Sequence, residues 1–208
     1  GINVSGSYNW NNFFIDVGME TSEPLVIGYN AYKSENWSFD LMLGATDGGI
    51  SKDTNDRFIG IIKRQSSTML GGRLTGYFGQ NILQVSIKHD ARGRSKGTVA
   101  SALLGRNWQV NDWNFHGLAG LTLADAKFND YYLGVSDAEA AITDFEAYDG
   151  KASVSFNSSV GVTYPISESW EFRATAHAGS NFGYNDSPLF SKKRDFYTGI
   201  SSSITYEF

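Results

Sequence analysis

Hydrophobic and polar residues alternate along the C-terminal segment, which ends at Phe208. Large apolar side chains occupy even positions such as Phe196 and Ile200, whereas small or polar side chains occupy the odd positions. A period of two is typical of a β-strand with one apolar and one polar face. Aromatic residues near both ends of the apolar face are typical of a strand that crosses an outer membrane. The pattern therefore predicts a membrane-crossing strand whose last apolar positions are Ile204, Tyr206 and Phe208.

The same alternation recurs in earlier segments, so the sequence predicts eleven β-strands in all. One segment has an ambiguous orientation, because its apolar residues Leu103 and Leu104 fall on opposite faces. A short apolar patch at residues 58–62 has no assignment from the pattern. The predicted strands cover residues 2–10, 13–20, 25–32, 37–44, 70–78, 83–88, 97–109, 113–123, 153–164, 170–178 and 196–208.

The links between these segments alternate between short and long. The short links lie near residues 10–12, 33–36, 79–81, 109–112 and 165–168. The long links lie near residues 20–24, 45–66, 89–96, 126–150 and 181–193. Short periplasmic turns and long extracellular loops are typical of outer-membrane barrels, whereas a soluble sandwich has no reason to sort its loops by length. We therefore expect an all-β protein, a transmembrane antiparallel up-and-down barrel in the bacterial outer membrane, formed by residues 1–208 as one domain.

The predicted number of strands is odd, whereas single-chain bacterial barrels have even numbers. If Phe208 lies on the periplasmic side, counting the strands backwards puts Gly1 on the extracellular side. We therefore expect a barrel of twelve strands whose first, N-terminal strand is absent from this chain. A barrel of ten strands is the alternative, if one segment has been divided in error.

The composition agrees with a strand-rich membrane protein and excludes several other classes. Aromatic residues make up 14% of the 208 residues, with 23 glycines and 3 prolines, which favours strands over helices. The mean hydropathy of −0.29 is compatible with a barrel, because only every second residue of a barrel strand faces lipid. No apolar run approaches the ~18 residues of a spanning helix. The net charge of −5 argues against a nucleic-acid partner, and the lack of cysteine excludes disulfide bonds.

The longest predicted loop contains the segment Asp-Tyr-Tyr-Leu-Gly-Val-Ser-Asp-Ala-Glu-Ala, residues 130–140. This segment resembles the long-loop motif of the MipA/OmpV family of outer-membrane proteins, the MltA-interacting proteins, which usually reads Tyr-Phe/Tyr-Gly-Val-Ser-x-x-Gln-Ala. The chain departs from that motif by inserting Leu133 and by carrying Glu139 where glutamine is common. The residues that match the motif are Tyr131, Tyr132, Gly134, Val135, Ser136 and Ala140.

Weaker similarity to the family covers nearly the whole chain, including Tyr8 and Trp10 near the start and Gly161 and Trp170 beside the last short link. The resemblance implies a barrel with one further strand upstream. It also implies a scaffold role, in which the protein joins a murein-cleaving lytic transglycosylase to a murein synthase. Other members of the family are described as adhesins, porin-like proteins or factors in antibiotic response. The resemblance supplies no set of catalytic residues.

Ionisable side chains lie on the polar faces of the predicted strands and would point into the barrel. They indicate either a charge-lined pore for small solutes or an interior closed by paired side chains. A barrel of this size encloses little space, and opposite charges in a narrow interior are expected to pair. We therefore expect a sealed or very narrow lumen, lined by Asp16, Asp40, Arg73, Lys88, Glu171, Arg173, His177 and Glu207.

One group of residues suggests an enzyme at the outer rim. His89 and Asp90 lie at the extracellular end of a predicted strand, and either Ser95 or Ser101 is a candidate partner on the next strand. A lipase would need a serine and a histidine within hydrogen-bonding distance. An ordinary polar loop start is the alternative, and we favour a protein without catalytic activity. The three histidines lack a metal-binding spacing, so we expect neither a metal site nor a cofactor.

Two further sets of residues suggest contacts with the envelope. The basic residues in the loop after His89 are candidates for binding lipopolysaccharide phosphates, although a solvated loop explains them equally well. These basic residues are Arg92, Arg94 and Lys96. All five tryptophans lie beside predicted short links, which indicates an aromatic girdle at the periplasmic rim. The tryptophans are Trp10, Trp37, Trp108, Trp113 and Trp170.

The loop of residues 126–150 is too long to be a simple connection, so we expect it to fold over or into the barrel mouth, with a partner-binding patch as the alternative. The C-terminal residues Ile204, Tyr206 and Phe208 resemble the signal that barrel insertion machinery reads. The predicted partners are this machinery, outer-membrane lipid, lipopolysaccharide and murein-processing enzymes. The sequence predicts a non-enzymatic scaffold or interaction protein in cell-envelope maintenance, with a narrow channel or a surface adhesin as the alternatives.

Overall fold

The protein folds into an antiparallel β-sheet in which every strand pairs with its neighbours in the chain. The structure is a computed structural model that describes residues 6–20, 23–46, 50, 55–182, 186–190 and 195–206. The strands are β1 (Gly6–Trp10), β2 (Phe13–Glu20), β3 (Glu23–Lys33), β4 (Trp37–Ala45), β5 (Thr68–Phe78), β6 (Asn81–Asp90), β7 (Thr98–Val110), β8 (Trp113–Ala124), β9 (Ser153–Pro165), β10 (Trp170–Phe182) and β11 (Phe196–Tyr206).

The predicted all-β antiparallel architecture is confirmed. The described part of the chain contains eleven strands in the order β1 to β11, so the ten-stranded alternative is wrong. The bounds of the strands differ from the predicted ones by a few residues, and residues 2–5 of the first predicted strand lie outside the described residues. The meander is consistent with a β-barrel, and among the described residues β1 and β11 form its two edges. The twelfth strand stays a prediction.

The two faces of the sheet differ in the way that the alternation predicts. In β4, the side chains of Ser38, Asp40 and Met42 are buried, whereas the intervening apolar side chains are exposed. The exposed face continues across the sheet to Leu104, which is 57% exposed, and to Ile200, which is 85% exposed. A soluble sandwich would cover such a face with a second sheet. The apolar outer face therefore favours a hydrocarbon environment, and the buried face is the inner face of the sheet.

The orientation of β7, which the sequence left ambiguous, is fixed by its pairing with β6. Ser101 lies opposite Ser86, and their hydroxyl oxygens are 2.7 Å apart on the inner face. Because Leu103 is two residues further along the strand, its side chain is also on the inner face. Leu104 then points outwards. An apolar residue on the inner face thus explains why the alternation was unclear here.

The short links at one end of the sheet are tight hairpin turns. The links after β1, β5 and β7 have two residues each, and the first residue of each link has a positive φ: Asn11 at 52°, Gly79 at 61° and Asn111 at 52°. Asparagine and glycine tolerate this backbone conformation better than other residues. The asparagine and glycine residues at these positions therefore favour tight two-residue turns.

The long links at the other end contain the helical structure. A 3₁₀ turn covers Asp56–Phe58 in the β4–β5 loop, and helices α1 (Ala126–Leu133) and α2 (Asp137–Ala140) lie in the β8–β9 loop. The Asp125 side chain caps α1 by accepting a hydrogen bond from Phe128 N at 2.8 Å. No helix in the described ranges is both long enough and apolar enough to cross a membrane.

Loops that are far apart in the strand order meet at this end, which shows that the sheet curls. Phe58 and Ile61 from the β4–β5 loop pack with Val135 from the β8–β9 loop and Leu189 from the β10–β11 loop. These four side chains form a buried apolar cluster. The apolar patch at residues 58–62, which the sequence pattern left unassigned, therefore supplies part of this loop core.

Candidate functional site

Four of the long loops assemble into one folded unit, which we call the loop cap. It consists of the described residues of the β4–β5, β6–β7, β8–β9 and β10–β11 loops. The apolar cluster of Phe58, Ile61, Val135 and Leu189 is its centre, and Ala140, Phe145 and Tyr148 pack against that cluster. The expectation that residues 126–150 fold over the open end of the sheet agrees with this packing.

Tyr132 of the family motif joins the loop cap to the ends of the strands. Its hydroxyl group lies 2.7 Å from Thr46 Oγ1 and accepts a hydrogen bond from Ser67 N at 2.9 Å. The Ser67 hydroxyl group in turn donates to Ser95 Oγ in the β6–β7 loop, at 3.4 Å. Residues of three loops are therefore connected through one buried tyrosine.

Glu139 is the most highly connected carboxylate of the loop cap. Its Oε1 accepts a hydrogen bond from Ile62 N at 2.8 Å, and its Oε2 accepts from Ser136 N at 2.9 Å and Ser136 Oγ at 2.8 Å. Arg64 Nη2 lies 3.0 Å from Oε1. Burial alone raises the pKa of the Glu139 carboxyl, but these hydrogen bonds and the Arg64 guanidinium outweigh it and lower that pKa from 4.5 to about 2.

The β10–β11 loop is held by two backbone contacts. Ser187 Oγ donates a hydrogen bond to the carbonyl oxygen of Leu133 at 2.6 Å. Arg57 Nη2 donates to the carbonyl oxygen of Leu189 at 2.9 Å, and its guanidinium carbon lies 4.9 Å from the centre of the Phe58 ring. These contacts fix three loops relative to one another across the end of the sheet.

The family motif residues therefore act as structural elements of the loop cap. Besides Tyr132, the Tyr131 hydroxyl group accepts a hydrogen bond from Gln65 N at 2.9 Å, and Val135 forms a β-bridge with Tyr148. Arg64 Nη2 donates to the carbonyl oxygen of Gly134 at 2.9 Å. Ser136 caps α2, and Ala140 packs against the apolar cluster.

The inner face of β2–β5 is filled with side chains. Arg73 Nε donates to Asp40 Oδ2 at 3.0 Å, and Asn30 Nδ2 donates to Asp40 Oδ1 at 2.8 Å. The Arg73 guanidinium carbon lies 5.1 Å from the centre of the Phe14 ring. Phe14 also packs with Val26 and Met42 in a second buried apolar cluster. Opposite charges pair here, and apolar side chains fill the space beside them.

The inner face of β6–β10, unlike that of β2–β5, borders a cavity. A cavity of about 480 Å³ lies there, towards the short turns, with side chains from all five of these strands around it. Arg173 lines this cavity and forms an ion pair with Glu171, with Arg173 Nε 2.7 Å from Glu171 Oε1. The interior is thus packed on one side and open on the other.

The remaining predicted interior charges lie at separate places on the inner face. Lys88 is buried at the end of β6 nearest the loop cap, and Asp16 is partly buried in β2. The His177 ring lies over Gly199 of the neighbouring strand. Glu207 lies outside the described residues, as does Phe208.

The residues of the suggested rim lipase do not come together. His89 is exposed, and its Nδ1 lies 3.0 Å from Thr98 Oγ1. Ser95 instead donates its backbone N–H to Asp90 Oδ2 at 2.6 Å, and Ser101 bonds to Ser86. His89 shares the outer face with Val85 and Ile87, whereas Ser101 is on the inner face. The geometry thus assembles no serine–histidine pair from these four residues.

The basic residues of the β6–β7 loop divide into two types. Arg94 Nη1 donates a hydrogen bond to the carbonyl oxygen of Ser66, so this arginine takes part in the packing of the loop cap. The side chains of Arg92 and Lys96 are exposed. Only the latter two therefore present their charged groups to the surroundings.

Each tryptophan pairs with another aromatic side chain on the outer face, at the end of the sheet with the short turns. The distances between ring centres range from 4.5 Å for the closest pair to 6.2 Å for the most distant pair. Such contacts between neighbouring strands stabilise a sheet. The pairs are Trp10 with Phe13, Trp37 with Phe78, Trp108 with Phe115, Trp113 with Tyr164 and Trp170 with Tyr206.

Comparison with known proteins decides the family. The sequence profile described as "MltA-interacting protein MipA" matches residues 2–208. The chain belongs to the MipA family. Among its relatives are "Outer membrane protein OmpV" of Vibrio cholerae serotype O1 and "Outer membrane protein Omp26La" of Vibrio anguillarum. Each is 24% identical over 160 residues, which is 76% of this chain and 60% of the relative.

The matched region thus spans about 60% of the length of these relatives. Both relatives are named as outer-membrane proteins, and the apolar outer face of this MipA-family chain agrees with the same location. The predicted family and the predicted outer-membrane location are therefore confirmed.

The sequence pattern does not identify two residues of the site. Arg64 and Arg57 contribute contacts of the loop cap, yet neither belongs to a strand or to the family motif. One signal was present in the sequence, because Ser136 and Glu139 have the spacing of a helix capping box. This spacing predicts the start of α2, but it does not predict the contact with Arg64.

Proposed function

We propose that this MipA-family protein is a non-enzymatic outer-membrane protein that serves as a scaffold or interaction partner in murein maintenance. The description of the family, which names an interaction with MltA, supports this role. The loop cap is the structural observation that carries it. A hydrogen-bonded set of loops with a buried apolar centre lies at one end of the sheet, and this ordered surface supports an interaction role over free diffusion of solutes.

We further propose that the loop cap faces the exterior and the short turns face the periplasm. The asymmetry of loop lengths supports this orientation. The paired tryptophans support it as well, because tryptophan and tyrosine are enriched where a membrane protein meets the membrane–water interface. The short-turn end is then the surface that a periplasmic enzyme reaches.

The short turns carry acidic side chains that suit a basic partner surface. Glu35, Asp112 and Glu168 are exposed in three of these turns. Complementary charges mainly increase the rate of association and the specificity of an interface. A murein-processing enzyme that docks here would therefore bind through a rim of turns rather than through a deep groove.

A binding experiment in lipid nanodiscs tests this proposal. The lytic transglycosylase of the MltA type from the same bacterium is titrated against the intact protein. We expect the triple variant Glu35→Lys, Asp112→Lys, Glu168→Lys to weaken binding about tenfold. A matched triple variant of exposed acidic residues in the loop cap, Asp137→Lys, Asp144→Lys and Glu146→Lys, should leave binding unchanged. Absence of binding by the unaltered protein, or loss of binding only in the loop-cap variant, would contradict the proposal.

A narrow channel for small solutes is the second candidate. The hollow inner face of β6–β10 favours it. Planar-bilayer recordings separate the two functions, because the scaffold proposal predicts no single-channel conductance for the unaltered protein. A variant with a weakened loop cap, Arg64→Ala with Glu139→Ala, is the positive control for an opened path. Conductance of the unaltered protein would favour the channel.

We also propose that Arg92 and Lys96 contact lipopolysaccharide phosphates when the loop cap faces outwards. Their exposed side chains support this contact, since arginine and lysine bind phosphate oxygens well. The double variant Arg92→Gln, Lys96→Gln should bind lipopolysaccharide vesicles more weakly than a matched variant, Lys33→Gln, at the short-turn end. Equal binding by both variants would exclude the contact.

A further inference from the structure

The cavity on the inner face of β6–β10 has the size and the lining of a small-molecule site. Its volume is about 480 Å³, within the range of about 300–1,000 Å³ that is typical of ligand pockets. Gln80 and Asn107 at its margin lie within a few residues of the short turns. The cavity is therefore closest to the end of the sheet opposite to the loop cap.

The charged group that lines the cavity on the inner face is a cation. Arg173 and His116 line the cavity from that face, and among its described lining residues none is aspartate or glutamate. Arg106 also borders the cavity, but it shares the outer face of β7 with Leu104. Glu171 lies beside the cavity and accepts the Nε hydrogen bond of Arg173. The Arg173 side chain is nevertheless 60% exposed, so its ion pair with Glu171 is not buried. An anionic group can therefore approach the guanidinium.

Hydroxyl groups lie beside Arg173 on the inner face. Thr163 is opposite Arg173 in the β9–β10 register, and Thr175 is two residues further along β10. The His116 ring lies over Gly161, where any larger residue would collide with the ring. The glycine thus provides the space that the His116 ring occupies. Donor groups are thereby grouped on the side of β8–β10.

The opposite part of the lining is apolar. Ile82 on β6, Leu103 on β7 and Leu118 on β8 line the same cavity. Leu118 is 41% exposed although it lies on the inner face, because nothing in the described part of the chain covers it there. Contact between an apolar side chain of this size and an apolar ligand group removes both surfaces from water, which stabilises the complex.

We propose that this cavity binds a small carboxylate with a short apolar body. The carboxylate accepts hydrogen bonds from Arg173, with the neighbouring threonine hydroxyl groups as further donors. The apolar body contacts Leu103 and Leu118. The ligand enters from the short-turn end. This assignment is independent of the scaffold role, because it concerns the interior of the sheet and not the surface of the turns.

Isotope-labelled octanoate is the probe for this site. Carbon-13 in its carboxylate allows binding to the intact protein in nanodiscs to be followed by NMR, with empty nanodiscs as the reference for partitioning into lipid. We expect saturable binding of octanoate. Octanol, which has the same apolar body without the charge, should bind about tenfold more weakly, because it cannot accept a charge-assisted hydrogen bond from Arg173.

Three variants assign the binding to the cavity. Arg173→Gln should weaken octanoate binding about tenfold, and Arg173→Lys, which keeps the charge, should restore most of it. Thr175→Trp fills the cavity and should abolish saturable binding. Lys127→Gln, at an exposed position in α1 at the opposite end of the molecule, is the matched control and should bind like the unaltered protein. Circular dichroism and heat-dependent gel mobility verify that each variant is folded.

Two results would overturn the assignment. Equal affinity for octanol and octanoate would mean that the site recognises the apolar body alone. Saturable binding that persists in folded Thr175→Trp or is unchanged in Arg173→Gln would mean that octanoate binds elsewhere. Because neither measurement involves a murein enzyme, failure here is distinguishable from failure of the scaffold proposal.

Discussion

Arg64 and Glu139 form an ion pair between two loops, 75 positions apart in the sequence. Their charged groups lie 3.0 Å apart, and their side chains are only 11% and 3% exposed. The same carboxylate also accepts backbone hydrogen bonds from Ile62 and Ser136. One side chain therefore links the β4–β5 loop to the family motif of the β8–β9 loop.

Replacement of Glu139 by alanine should destabilise the loop cap by about 3 kcal/mol, because it leaves the buried Arg64 guanidinium without its carboxylate. Hydrogen exchange measured by mass spectrometry should show faster exchange in residues 55–67 and 125–152, with the strands unaffected. Asp137→Ala is the matched control, since Asp137 is an exposed acidic residue of the same helix. Equal exchange in both variants would mean that the ion pair contributes little.

The stability of the loop cap should depend on pH through Glu139. Its pKa is lowered from 4.5 to about 2 in the folded protein, so the folded state favours the ionised form. This contribution is fully present above about pH 4.5 and is lost as the pH falls from about 4.5 to about 2. The shift corresponds to about 3 kcal/mol.

The difference between the unaltered protein and Glu139→Gln isolates this effect from the titration of other carboxyl groups. Limited proteolysis by an acid-stable protease should cut the unaltered loop cap more readily as the pH falls towards 2. The cleavage rate of Glu139→Gln should change less over the same interval. Parallel pH profiles for the two proteins would exclude Glu139 as the titrating group.

The strands and their two faces were predictable, because their signal is local. In β4, the apolar residues Phe39 and Leu41 alternate with Ser38 and Asp40, and each side chain lies on the predicted face. The pattern was less clear where the inner face contains apolar residues, as at Leu103. A period of two reports which face is apolar only when the two faces differ in polarity.

The loop cap was not predictable in the same way. Its contacts join residues that are distant in the sequence and lie outside the strands, such as Arg57 with Leu189 and Ser187 with Leu133. No repeating pattern marks such pairs. The length of the loop and its apolar residues indicated a folded segment, and the capping box at Ser136 indicated a helix start, but the partners follow only from the curl of the sheet.

The contributions of Asp40 and Arg73 to the free energy of unfolding should be strongly coupled, because the two side chains form an ion pair on the inner face. Asp40 is buried and accepts hydrogen bonds from both Arg73 and Asn30. Arg73→Leu leaves this carboxylate without its cation and should lower the free energy of unfolding by about 3 kcal/mol. The double variant Asp40→Leu, Arg73→Leu should be closer to the unaltered protein than either single variant.

Urea unfolding in lipid vesicles, followed by tryptophan fluorescence, measures this double-mutant cycle. Glu171→Leu with Arg173→Leu is the matched comparison, because that ion pair is far more exposed and should show a coupling below about 1 kcal/mol. Similar coupling energies in the two cycles would indicate that burial on the inner face has little effect on the strength of the ion pair.

The depth of the tryptophans in the membrane should follow from their position beside the short turns. In variants that keep one tryptophan and replace the others by phenylalanine, lipids brominated near the headgroup should quench fluorescence at least about twofold more than lipids brominated near the chain ends. Leu41→Trp in the background without tryptophan is the control, because Leu41 lies in the middle of β4 on the outer face. The tryptophan at position 41 should be quenched more strongly by lipids brominated near the chain ends than by lipids brominated near the headgroup. A protein whose outer face avoids lipid would show little quenching at either depth, and the transmembrane orientation of the strands would then be wrong.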